Sequence, residues 1–252
     1  MNIYSTSFSS EDIAFAREYN LGIEIAQYTD PVFMDGFEDN HPQVTQILQG
    51  IQGVAMHGAY LDTFYTSKDP LIADVSRLRF GQSIKVADFH GIPQVVFHSG
   101  YRQFFDGYSA GTREAFLKKA IAFWGDFVES VPDGITVYLE NVEDDSPDIL
   151  ASIIQGIDSP KIRCCLDVGH AHCNAATPLA TWVDALGDYI GHVHLSDNDG
   201  TMDQHLPLGA GTGPLLPTIQ QLLDRVGKDI SFVLECSIPQ SFEWLKQSGL
   251  VS

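Results

Sequence analysis

Positive charge is scarce in this chain. Lys and Arg number 14 against 33 Asp and Glu in 252 residues, a formal net charge of −19. Each phosphate contact on a nucleic acid needs a cation, so this balance argues against a DNA or RNA partner. No stretch approaches the roughly 18 uninterrupted apolar residues of a membrane helix. The opening MNIYSTSFSSED lacks a basic segment followed by an apolar one, so no secretory signal is visible. The 4 cysteines contain no CxxC pair. Cys164 and Cys165 fall in an apolar run, Cys173 in a polar stretch and Cys236 at the end of a strand-like run, which suits buried, reduced thiols in a cytoplasmic protein. A glycine-rich turn after the first strand, expected of a doubly wound nucleotide-binding sheet, is also missing; that turn reads SFSSED. What the chain does have is apolar bulk: 44% hydrophobic residues with 3 Trp, 9 Tyr and 15 Phe. That fills one sizeable core, and no Pro/Ser-rich hinge or charge block divides it. One domain over residues 1–252 is the expectation.

Short runs rich in β-branched residues recur along that domain, separated by amphipathic stretches. They predict strands at about 2–6, 21–26, 53–57, 93–98, 135–140, 161–167, 190–195 and 230–235. Start signals place helices between them. Ser9-Ser10-Glu11-Asp12 opens 11–19, His41-Pro42 opens 42–50, Asp69-Pro70 precedes 71–90, and Thr112 precedes 113–130. Pro147, Pro178, Pro214 and Pro239 open the remaining four, as expected of proline in a first turn. Strict alternation implies a parallel sheet with crossover helices. Eight repeats in about 250 residues predict a closed (β/α)8 TIM barrel. The long loop-like stretch 195–213 is expected to be functional.

In such a barrel the C-terminal ends of the strands line the active-site mouth. Read in order, those ends supply His57, His98, Glu140, Asp167, His194 and Glu235. His170 follows one turn after Asp167, and Asp203 and His205 follow strand seven. Nine converging imidazoles and carboxylates with no thiolate suit Zn or Mn, with one to three divalent ions per chain. Such a cluster is not buried without compensation. Glu24 points into the barrel if Ile23 and Ile25 face the helices, which would let it touch substrate. His41 reads as a solvated helix start, His90 as a helix C-cap, and His192 as facing the helix layer. His172 is open between a substrate contact and a bystander.

The segments MHGAY, VVFHSG, YLENVED, CLDVGHAH, HVHLSDNDG, DQHLPLGAGTG and FVLEC resemble the xylose isomerase-like TIM-barrel superfamily, which includes endonuclease IV and many sugar-phosphate isomerases and epimerases. The resemblance spans residues 57 to 235. Its endonuclease IV branch implies three zinc ions: His57, His98 and a bridging Glu140 on one, Asp167, His194 and Glu235 completing the second, and His170, Asp203 and His205 on the third. Tyr60 would then lie where that enzyme meets DNA. The isomerase and epimerase branch implies a single ion on Glu140, Asp167, His194 and Glu235, with Glu140 and Glu235 exchanging a substrate proton and His170 holding a substrate oxygen. An Arg that related epimerases carry in the strand-seven loop is absent; Asp199-Gly200 stands there.

With so few cations near the mouth, a small carbohydrate or sugar phosphate is the favoured substrate over abasic DNA or another phosphate ester. Arg102, after strand four, is a candidate phosphate contact or simply a partner for Asp106. The backbone N–H groups of Gly209–Gly213 are a second place for a phosphate or sugar oxygen. Phe64, Tyr65, Tyr101, Phe104, Phe105 and Tyr108 would form either a wall against a sugar ring or a subunit interface, so self-association is left open.

Overall fold

The computed structural model describes residues 1–227 and 229–251. Eight parallel strands close into a barrel in sequence order. They are β1 Asn2–Thr6, β2 Gly22–Ile25, β3 Val54–His57, β4 Gln94–His98, β5 Thr136–Glu140, β6 Ile162–Asp167, β7 Ile190–Leu195 and β8 Ser231–Leu234. Each falls within the stretch predicted for it. The helices are α1 Ser10–Glu18, α2 Pro31–Asp35, α3 Phe37–Leu48, α4 Pro70–His90, α5 Gln103–Asp106, α6 Ala110–Glu129, α7 Asp148–Ile157, α8 Val168–Asn174, α9 Leu179–Leu186, α10 Leu215–Arg225 and α11 Ile238–Gln247. Among the described residues no helix is long and apolar enough to cross a membrane.

Three helix ends differ from expectation for local reasons. Helix α3 begins at Phe37 and carries Pro42 within it. His41 is therefore not a solvated helix start but a half-buried ring against Phe37 and Phe89. Helix α6 begins at Ala110 because Ser109 and Thr112 cap each other's backbone in a capping box. His90 ends α4 rather than capping it. The cap is Gly91, whose φ of 66° is the left-handed value that glycine adopts without strain.

The pleat sorts side chains between two cores. Ile23, Ile25, Met56, Phe97, Leu139, Leu166, Val193 and Phe232 belong to the large core between sheet and helices. Inside the barrel, two small clusters, Tyr4–Ala55–Val233 and Val96–Tyr138–Cys165, form an apolar plug. The members Ala55, Val96, Tyr138, Cys165 and Val233 each lie two residues before His57, His98, Glu140, Asp167 and Glu235. Since the strand period is two, the plug supports a layer of chemistry-bearing residues directly above it.

Candidate metal centre at the barrel mouth

The upper layer forms three donor groups, the first two sharing Glu140, each with ligand atoms within 4.8 Å of one another: Glu140, Asp167, His194 and Glu235; His57, His98 and Glu140; and His170, Asp203 and His205. All nine expected ligand residues are thus brought together. Glu140 is central to them. Its Oε2 lies 3.2 Å from His57 Nε2 and 3.6 Å from His98 Nε2, and its Oε1 lies 3.1 Å from His194 Nδ1 and 3.4 Å from His170 Nδ1. Glu235 Oε1 approaches His194 Nδ1 from another side, at 3.4 Å.

Backbone hydrogen bonds fix this arrangement. Asn141 ties the ends of β5 and β6: its side chain donates to the Asp167 carbonyl and accepts from the Asp167 N–H, each at 2.9 Å. Asp167 in turn caps α8, its Oδ1 accepting from the His170 N–H at 2.6 Å. Three histidines are oriented by main-chain carbonyls through Nδ1: His57 by Gly58 at 3.0 Å, His170 by Asn141 at 2.9 Å and His205 by Glu235 at 2.6 Å. Donation from Nδ1 leaves each Nε2 as the available ligand atom, the arrangement metal-binding histidines use.

The carboxylates report the same crowding. Burial pushes Asp167 above its ordinary value and lifts Glu235 to about 7. Burial acts on Glu140 in the same sense. There the His194 charge and hydrogen bonds from His170, His194 and His57 outweigh it and hold the carboxyl well below the usual range. Asp167 Oδ2 is buried and has no hydrogen-bond partner among the described residues. His170 Nδ1 at 3.5 Å and His194 Nδ1 at 3.9 Å lie too far off to hydrogen-bond it. A buried carboxylate oxygen left so is costly, and a cation within the Glu140–Asp167–His194–Glu235 group would satisfy it. The donor set therefore fits a divalent ion.

Beside the group opens a cavity of about 550 Å³, lined by Phe8, Tyr60, Val142 and the donor residues other than Asp167 and His194, with no Lys or Arg among the described residues of its lining. The Tyr60 ring stacks on His98, centroids 4.7 Å apart. Glu24 borders this cavity but is 1% exposed and pairs with histidines below it.

Arg102 is placed elsewhere. Its guanidinium lies over Phe64, 3.5 Å from the ring centroid, and 4.7 Å from that of Phe105. It lines two neighbouring pockets, not this cavity. Of the aromatic residues around it, Tyr65 and Tyr101 are buried in the core, while Phe104 and Tyr108 are 80% and 84% exposed.

Three other expectations are corrected. The Gly209–Gly213 cradle is filled from within: the Asp197 carboxylate accepts from the N–H groups of Gly209, Gly211 and Gly213, each at 3.0 Å, and from that of Asn198 at 2.9 Å. Those donors are spent on pinning the loop that carries Asp203 and His205, so they form no phosphate site. His192 does not face the helices; residues 192 and 194 share parity, and its ring is 0% exposed inside the barrel, bonded to Gln94 and Glu24. Of the free thiols, Cys164 and Cys165 are buried as expected, but Cys173 and Cys236 are only half-buried. His172, left open by the sequence, bonds to Thr212 at 3.0 Å.

Residues 21–248 match the xylose isomerase-like TIM barrel family. The chain belongs to that family. Fructoselysine 3-epimerase of Escherichia coli O157:H7 is 29% identical over 98 residues, which are 39% of this chain and 35% of that protein. The chain thus spans about a third of the length of this curated relative. In fold it is similar to a D-tagatose 3-epimerase-like protein (TM-score 0.81, 23% identity, 98% of this chain and 97% of that one). It is also similar to a Thermus thermophilus protein from crystals soaked in zinc chloride (TM-score 0.77, 22% identity, 98% of both chains). Sugar epimerases thus occur among the proteins it is similar to.

Proposed function

We propose that this protein is a divalent-metal-dependent epimerase or isomerase of a small ketose or its phosphate. One observation carries the reading: Glu140, Asp167, His194 and Glu235 converge, and two of them, Glu140 and Glu235, line a cavity of about 550 Å³, a volume that suits a small molecule. A divalent ion held by those four residues, Zn or Mn by donor type, supplies Lewis-acid polarisation of a carbonyl and its neighbouring hydroxyl. The chain's own residues do the proton work. Glu140 and Glu235 both approach His194 Nδ1, at 3.1 and 3.4 Å, and both line the cavity; in this reading they flank the substrate carbon. One removes its proton, and the other returns a proton to the opposite face, inverting the centre. His170, oriented by Asn141 through Nδ1, would hold a substrate oxygen through Nε2 in exchange for its contact with Asp203 at 3.3 Å. Tyr60, Phe8 and Val142 offer the apolar wall that a sugar ring needs while water is excluded.

A second reading, a multi-zinc phosphoesterase, is favoured by the two further donor groups around His57 and His205. Against it stand the absence of Lys and Arg from the described residues of the cavity lining and the net charge of −19. The two separate in heavy water. With Mn or Zn added, a panel of ketoses and ketose phosphates is expected to exchange one carbon-bound hydrogen for deuterium next to the carbonyl and to yield the epimer. Release of phosphate or alcohol from phosphate esters, with no deuterium uptake from any ketose, would overturn the epimerase reading.

A further inference from the structure

Three of the donor histidines are oriented by main-chain carbonyls, but His194 is not. Its Nδ1 faces Glu140 and Glu235, and its Nε2 faces the Glu24 carboxylate, 3.3 Å from Oε1 and 3.5 Å from Oε2. Glu24 is held in turn by His192, whose Nε2 is 2.8 Å from Oε2. His192 Nδ1 lies 2.9 Å from Gln94 Oε1, and Ser231 Oγ donates to the same oxygen at 3.1 Å. This polar chain crosses the barrel in the layer below the donor residues, where the neighbouring strands present Ala55, Val96, Cys165 and Val233.

Burying a carboxylate and an imidazole at 1% and 0% exposure in that plug is unfavourable compared with filling the space with Val or Ile. Such a pair is retained where it specifies a geometry. Resting on the metal reading above, we propose that Glu24 and His192 clamp the His194 ring with Nδ1 aimed at the four-donor group. Glu24 is thus a positioning residue for the ion and not a substrate contact. With an ion bound, the carboxylate keeps the Nε2–H, so the proton that His194 gives up leaves Nδ1, whose lone pair then points at the ion.

The test is Co(II) binding to the metal-stripped full chain, followed by visible absorption and by competition with a chelator. Glu24→Met, which keeps the volume but removes the acceptor, is expected to bind Co(II) roughly 10–100-fold more weakly than wild type. Glu24→Gln keeps an acceptor oxygen without the charge; it is expected to be about tenfold weaker and to recover part of the Met loss. If the Met variant does not fold, the Gln variant decides alone. Affinity within twofold of wild type in the Gln variant overturns the clamp. So does a sulfur-to-cobalt charge-transfer band in wild type that disappears in Cys165→Ser, because Cys165, His192 and His194 would then be ligands themselves. Wild type that binds no Co(II) at all sinks the metal reading first, and the clamp with it.

Discussion

Glu235→Gln is expected to lower the epimerisation rate by about 10³-fold while sugar binding stays measurable, within the range that a positioned acid–base group contributes. The amide retains an oxygen toward the ion but neither takes nor gives the substrate proton. Burial pushes the Glu235 carboxyl up to about 7 while Glu140 is held low, so the two carboxyls are unequal before any substrate arrives. Steady-state kinetics alongside ligand titration checks the split between kcat and binding. Wild-type turnover in the variant would sink the proton-transfer role.

The second large effect is metal removal. Dialysis against a chelator is expected to abolish turnover and to lower the thermal midpoint by about 5–15 °C, with both restored by Mn or Zn. The shift follows from linkage: an ion at 100 to 1,000 times its dissociation constant stabilises the fold by about 2.7–4.1 kcal/mol, and a barrel of this size moves roughly 2–4 °C per kcal/mol. The structural reason is local. Without a cation, Asp167 Oδ2 remains a buried oxygen with no hydrogen bond among the described residues, 3.5 Å from His170 Nδ1 and 3.9 Å from His194 Nδ1. Scanning calorimetry of apo and reloaded protein measures it. Identical midpoints would mean that the donor group is satisfied without an ion.

Much of this centre is legible in the sequence because strand ends are short-range features. A β-branched run that stops on His, Asp or Glu places that residue at the mouth whatever the rest of the chain does, which is how Glu140 and Asp167 stand out. The His192 expectation fails on the same rule misapplied, since 192 and 194 share a face. The pairing of Glu24 with His192 and His194 joins residues 168 and 170 positions apart, and nothing local announces it. Nor does the glycine-rich stretch show that Asp197 occupies its N–H groups; that depends on how the loop folds back over the end of β7. Arg102 reads in the sequence as a phosphate contact or a partner for Asp106, but its guanidinium stacks on Phe64, a contact between loops that residue spacing does not encode.

Elemental analysis of protein purified without chelator or added metal tests the central claim most directly. The four-donor group is the most deeply buried set above the apolar plug, whereas Asp203 and His205 are partly exposed and already pair at 2.9 Å. About one divalent ion per chain is therefore expected. Three zinc ions per chain would contradict the one-ion account and favour phosphoester chemistry. No ion, even after soaking in Zn or Mn, would contradict metal dependence itself.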